Sequence, residues 1–88
     1  MPELARFYGI VIAIFYDEKH HNTPHIHAAY GEYKVSIGIS DRRVLVGRMP
    51  KSQLQLVFAW MIIHEAAIAH AWAAVSHGRS PRKIAPLR

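Results

Sequence analysis

Cysteine is absent from this chain of 88 residues, and acidic residues number only six. Without thiols the protein can form no disulfide, no thiolate zinc site and no cysteine nucleophile. Only 19% of the residues are charged and 51% are hydrophobic, which is too apolar for a disordered segment. Because a chain of this length corresponds to one small domain, we expect residues 1–88 to form a single domain.

A long apolar run of the kind that spans a membrane is also missing. The longest uninterrupted run covers residues 56–63, whereas a bilayer requires roughly 18 or more apolar residues. The N-terminal sequence Met1-Pro2-Glu3 has none of the charged and apolar regions of a secretory signal. We therefore expect a cytoplasmic protein that does not enter a membrane.

The chain is rich in positively charged residues. Eleven Lys and Arg residues against six Asp and Glu residues give a formal net charge of +5. Such a balance favours polyanionic partners, either nucleic acid or an acidic protein. The residues that we predict to contact nucleic acid lie in a turn and in the basic tail 78–88; they are Arg42, Arg43, Arg79, Arg82 and Lys83. The alternative for the tail is a solvated end without a partner.

Two kinds of periodicity divide the chain into halves. In the first half the apolar and polar residues indicate four strands, at about 6–16, 25–30, 33–39 and 43–48. In the second half the period is that of a helix, about 51–77, which begins after Pro50 and ends before Gly78. We predict an α+β fold, in which a four-stranded antiparallel β-meander carries one long C-terminal helix packed on one face.

The predicted helix is apolar on two sides. One stripe is expected to pack on the sheet, and it contains Leu54, Val57, Met61, Ile68, Trp72 and Val75. A second face carries Leu56, Trp60 and Ile63, and we expect a second copy of the chain or a partner protein to cover it. The alternative is that residues 84–87 fold back over this second face.

Histidines are concentrated in the segment 20–27, which holds four of the seven in the chain. Imidazole is the one side chain that can bind a metal, donate a proton or accept one near neutral pH. Because side chains alternate along a strand, His25 and His27 should point to the same side of the sheet. We expect that side to be the one that faces away from the helix, with Lys34 on the next strand.

Proton transfer is the first chemistry that this pair could perform. His25 and His27 would exchange protons with an RNA substrate, while Lys34 and Arg48 stabilise charge on the phosphate. This reaction requires no cofactor. Passive contact with phosphates and bases is a related alternative. The remaining alternative is that the two imidazoles are ordinary polar residues of the sheet surface.

Metal binding is the other chemistry open to the histidines. Two imidazoles from a His-x-His strand can share one ion, and His20 and His21 in the preceding loop could complete the site. The ion would be a divalent metal such as zinc.

Short motifs along the whole chain resemble a known family. The motifs, in order, are Arg6-Phe7-Tyr8-Gly9-Ile10, Pro24-His25-Ile26-His27-Ala28-Ala29-Tyr30-Gly31, Gly47-Arg48-Met49-Pro50 and Ile84-Ala85-Pro86-Leu87. This arrangement is similar to the bacterial domain of unknown function 4160, and the Pro-His-x-His-Ala-x-Tyr-Gly stretch is its most specific part. Arg42 stands where members of that family commonly carry a glycine.

The resemblance implies a function through the neighbouring genes of family members. Members are small proteins that are often encoded beside a small protein of family 2442. The pairing implies a toxin–antitoxin module, in which this chain is the toxin and the family 2442 protein its partner. We therefore expect a toxin-like protein that acts on RNA through His25 and His27. A non-enzymatic module that binds nucleic acid or protein is the first alternative, and a metal-binding protein is the second.

Overall fold

A computed structural model describes residues 2–16 and 23–88 of the chain. Five strands form one antiparallel sheet in chain order: β1 (Glu3–Phe7), β2 (Ile10–Ala13), β3 (His25–Tyr30), β4 (Tyr33–Gly38) and β5 (Val44–Arg48). Two helices follow, α1 (Lys51–Ile63) and α2 (Glu65–Ser76). The α+β class and the antiparallel meander are thus confirmed, whereas the four strands and the single helix of the prediction need correction.

The first correction concerns the predicted strand 6–16, which is a hairpin. Phe7 pairs with Ile10, so only Tyr8 and Gly9 connect β1 to β2. Both connecting residues have positive φ angles, 49° and 78°, as a two-residue type I′ turn requires. An Asn or Asp before the glycine is the usual signal of such a turn, and the tyrosine at this place conceals it.

The second correction concerns the predicted helix 51–77, which is bent by 87° between α1 and α2. His64 lies at the break, and backbone hydrogen bonds continue on both sides of it, to Trp60 O at 3.0 Å and from Ile68 N at 2.9 Å. The bend allows both helices to place side chains in the core, Val57, Trp60 and Met61 from α1 and Ile68 and Ala71 from α2. Neither Gly nor Pro marks the break, so the sequence pattern runs through it.

The predicted end of the helical half is confirmed. Gly78 has a φ of 72°, and its N–H donates to Val75 O at 3.1 Å. The N–H of Arg79 donates to Ala74 O at 2.8 Å. This pair of bonds is the Schellman arrangement, in which a left-handed glycine satisfies the last carbonyl groups of a helix.

A hydrophobic core fills the space between the helices and one face of the sheet, which we call the covered face. Its strand residues include Ile10, Ile12, Ile26, Ala28, Val35 and Ile37. Trp60 lies in the middle of this core and is 0% exposed. Its indole N–H donates to Ala85 O at 2.8 Å, and the N–H of Ile84 donates to Leu4 O at 2.8 Å. The C-terminal segment therefore closes the core.

This packing corrects the predicted interface between chains. Trp60 is covered by residues 84–87 of its own chain, which is the intrachain alternative. Leu56 is half-buried and packs against the same core. Ile63 is different, because it is 64% exposed at the end of α1. Of the three predicted interface residues, only Ile63 lies open on the surface.

Two further features follow from the backbone. Arg42 has a φ of 54°, so it adopts the left-handed conformation that glycine tolerates best. The family resemblance leads one to expect a glycine at this position. As for membranes, neither described helix is by itself long and apolar enough to cross one; α1 and α2 meet that test of length and composition only together, with the 87° bend between them.

Candidate functional site

The candidate site is the side of the sheet opposite to the covered face, which we call the open face. The strand register places one set of side chains there: Val11, Ala13, His27, Ala29, Lys34, Ser36, Val46 and Arg48. None of these residues belongs to the hydrophobic core cluster of the described chain. The open face therefore lies outside that core cluster, although Ala13 and Ser36 are themselves buried.

A groove of about 420 Å³ runs over the open face. Its lining includes the small side chains of Val11, Ala13 and Ala29, together with Phe15 and Val46. An antiparallel sheet with one solvated side normally alternates apolar residues inward with polar residues outward. The groove departs from that rule, since most of its lining is apolar.

Of the predicted histidine pair, His27 lines this groove. The rings of His25 and His27 are adjacent, with centroids 4.9 Å apart and planes at 71°. His27 also stacks on Phe15, at 4.1 Å and 6°. The two imidazoles thus lie side by side, as the strand period predicts.

The expectation that both histidines face away from the helix is wrong for His25. This residue is 1% exposed, and its ring lies 5.4 Å from the ring of Trp72 in α2. Trp72 also contacts Tyr16, with ring centroids 5.9 Å apart. A helix side chain therefore reaches the first residue of β3, and His25 is enclosed among aromatic rings.

Hydrogen bonds hold both imidazoles in place. His25 Nδ1 lies 2.7 Å from Thr23 O; a carbonyl can only accept, so this nitrogen carries the proton. His27 Nδ1 lies 3.2 Å from the Ser36 hydroxyl. The Nε2 atoms of both rings are shielded from solvent. Because an acid–base catalyst must touch its substrate, catalysis by this pair requires neighbouring side chains to move.

Of the predicted phosphate-stabilising residues, Lys34 lines the groove. Lys34 and Arg48 are exposed and are direct partners across β4 and β5. Ion pairs within the described residues join Arg6 to Glu3 at 2.8 Å and Arg42 to Glu65 at 4.0 Å. Neither Lys34 nor Arg48 takes part in one within the ranges 2–16 and 23–88. Lys34 and Arg48 are therefore two adjacent positive charges that form no ion pair with a carboxylate of the described residues.

The predicted nucleic-acid-binding residues do not form one patch. Arg42 and Arg43 lie between β4 and β5. Lys83 is near Glu3 of β1: the pKa of Glu3 lies below its usual value, chiefly because Arg6 donates a hydrogen bond to it, with a smaller part from the charge of Lys83. Arg79 and Arg82 are exposed in the same C-terminal segment. Since β1 and β5 are the two edges of the sheet, Lys83 lies at one edge, and Arg42 and Arg43 adjoin the other.

The predicted metal site depends on residues outside the structure. His20 and His21 lie outside the described residues. Within the ranges 2–16 and 23–88 there is no group of three or more His, Cys, Asp or Glu residues that could hold an ion. A zinc site takes three or four protein ligands, so His25 and His27 alone do not make one. Metal binding stays a prediction.

The apolar outer strand is the feature that sequence reasoning missed. All five residues of β5 are exposed. The exposed fraction of Val46 is 56%. The strand is the last in the sheet, so one of its sides lies next to no other described strand. The three consecutive apolar residues Val44, Leu45 and Val46 were the available signal, because a half-buried strand would alternate.

Comparison with known proteins identifies a family and no relative of known function. The family model described as Domain of unknown function (DUF4160) matches residues 9–73. The matched stretch begins in the turn after β1, ends in α2 and contains every residue that lines the groove. No curated protein and no solved structure matches the chain. The chain therefore belongs to the DUF4160 family, whose function is unknown.

Proposed function

We propose that this protein is a non-enzymatic binding module that holds a partner protein on its open face. The observation that carries the proposal is the apolar groove, which continues into the exposed apolar strand β5 through Val46. Apolar surface of this kind is unfavourable in water and favours association with another protein.

The contacts of the histidines support a structural contribution to this site. Stacking on Phe15 and a hydrogen bond to Ser36 fix the ring of His27 in the wall of the groove. His25 is enclosed behind it against Trp72. Rings held in this way shape a binding surface, whereas a catalytic imidazole needs access to its substrate. On this proposal the pair supports the groove.

The gene neighbourhood of the family also suggests a partner protein. A toxin–antitoxin module consists of two small proteins that bind each other, and the family 2442 protein is the candidate for the second. The open face would be the contact surface in such a pair, in the cytoplasm. This assignment holds whether the chain is the toxin or the antitoxin, because the open face would contact the other protein in either role.

Photo-crosslinking tests the proposal. Val46 would be replaced by a photoreactive benzoylphenylalanine and the variant irradiated in cells of the native host. Gln55, which is exposed on α1, is the matched control position. We expect a protein adduct from position 46 and none from position 55. Equal adducts at the two positions, or none at position 46, would contradict the proposal.

RNA is the second candidate partner, and one observation favours it. Lys34 and His27 lie on the same face of neighbouring strands, with Arg48 beside Lys34. A phosphate could therefore meet two cations close to an imidazole. In this form of the toxin hypothesis His27 is the histidine next to the substrate.

Growth arrest on expression tests this second function. His27→Ala should abolish the arrest if RNA is the target, and His70→Ala, at an exposed position on α2, should retain it. Equal arrest by both variants would refute a catalytic role of His27. In the crosslinking experiment an adduct at position 46 that ribonuclease removes would favour RNA over protein.

A further inference from the structure

We infer that the partner supplies an extended acidic segment, which joins the sheet beside β5 as a sixth strand. Its side chains on the groove side would place a carboxylate opposite Arg48 and an apolar residue opposite Val46. The inference rests on the proposed function and specifies the partner's chemistry.

The two edges of the sheet differ in a way that leads to this inference. At β1 the chain covers its own edge, because the N–H of Ile84 donates to Leu4 O at 2.8 Å. At β5 no described segment takes that place. Edge strands are normally protected by charged side chains, proline or a covering segment, but β5 presents three consecutive apolar residues. Such an edge is a template for an added strand.

The charges at β5 determine what kind of strand fits. Lys34 and Arg48 are direct neighbours on adjacent strands, and like charges in this position destabilise a sheet. No carboxylate of the described residues is paired with either of them. A carboxylate on an added strand would lie directly opposite Arg48 and compensate its charge. A second copy of the chain would instead bring another +5 to the same edge.

The register predicts the spacing in the partner's sequence. Val46 and Arg48 are two residues apart and both lie on the open face, since they pair with Ser36 and Lys34. Directly opposite residues of neighbouring strands are about 4.5–5.5 Å apart. The added strand should therefore have an acidic residue and an apolar residue in an i, i+2 relation. RNA satisfies neither the backbone ladder nor the apolar positions.

Selection from a random peptide library displayed on phage tests the inference, with the purified full chain as bait. We expect enriched peptides that carry an acidic residue two positions from an apolar one. Against Arg48→Glu, their affinity should fall at least about tenfold, because the variant places a like charge opposite the carboxylate. Arg88→Glu makes the same change of charge at an exposed position of the C-terminal segment, and it should leave the affinity unchanged. Amide chemical shifts should change within 44–48.

Several results would overturn the inference. They are enriched peptides without acidic residues, equal affinity for the Arg48→Glu variant, shift changes that spare β5, and no enrichment at all. A dimer of the chain in sedimentation that Val46→Lys dissociates would assign the edge to a second copy and also overturn it.

Failure of the inference is distinguishable from failure of the proposed function. A protein adduct at position 46 together with peptides that ignore Arg48 would leave the binding module standing without the acidic strand. No protein adduct at position 46 would remove the binding module itself.

Discussion

The two faces of the sheet differ in the size of the apolar side chains that they carry. The covered face carries Ile10, Ile12, Ile26 and Ile37, which fill the space under the helices. At corresponding places the open face carries the smaller Val11, Ala13, Ala29 and Ser36. Large branched residues complete the core within one chain, whereas smaller residues leave a groove among the described residues. The difference teaches that apolar character alone does not identify the core of a small domain.

The largest effect should come from the centre of the core, between the helices and the covered face. Trp60→Ala removes a buried indole and its hydrogen bond to Ala85 O, and it should lower the free energy of unfolding by about 3–5 kcal/mol. Ile63→Ala, at an exposed position of the same helix, should change it by less than about 0.5 kcal/mol. Urea unfolding measures both. Similar losses for the two variants would remove the distinction between buried and exposed sides of α1.

The next effect concerns the close approach of β5 to β4. Gly47 has a φ of 85°, and a Cβ atom there would overlap the carbonyl oxygen of Lys34. Gly47→Ala should therefore destabilise the fold by more than about 2 kcal/mol and displace β5. Gly31→Ala is the control, because Gly31 also has a positive φ but no atom within 4 Å of the added group. Gly31→Ala should lower the free energy of unfolding by about 1 kcal/mol. Equal costs in urea unfolding would show that β5 is free to shift.

An intermediate effect should separate the histidines by burial. His25→Ala removes a ring that is bonded to Thr23 O and packed on Trp72, and we expect a loss of about 2 kcal/mol. His70→Ala, on the exposed side of α2, should be neutral within about 0.5 kcal/mol. Thermal melts of both variants at one pH measure the difference. A neutral His25→Ala variant would indicate that His25 is not part of the packed structure.

The smallest effect is expected at the edge strand β1. The hydrogen bond from Arg6 holds the pKa of Glu3 below its usual 4.5, so Arg6→Gln should raise that pKa. A lowered pKa in the folded state stabilises the fold above the unfolded pKa, and the gain is lost as the pH falls through the folded value. Because both side chains are solvated, the consequence for stability should be slight. NMR titration of the Glu3 carboxyl measures the shift, and Arg79→Gln should leave it unchanged.

The sequence predicted best where a pattern is local. The alternation of residues 25–30 and 33–39 placed β3 and β4 within one residue, because side chains on a strand alternate between two environments. The end of the helical half followed from Gly78. The hairpin between β1 and β2 was not predicted, because Tyr8 occupies a position where Asn or Asp is usual in such a turn.

The site was predictable only in part, for reasons of tertiary structure. That His25 and His27 would lie side by side follows from the strand period. The enclosure of His25 depends on Trp72, whose position depends on a bend at His64 that no glycine or proline announces. The groove depends on which residues the helices leave uncovered, and this is decided by packing over the whole domain.

Amide hydrogen exchange of the chain, alone and bound to the partner captured through position 46, tests the central claim most directly. If the open face and its outer strand form the binding surface, exchange should slow in Val44–Arg48 on binding. The amides of α1 should exchange as they do in the free protein. Slower exchange in α1 with no change in Val44–Arg48 would contradict the account, since it would place the partner on the helical side of the molecule.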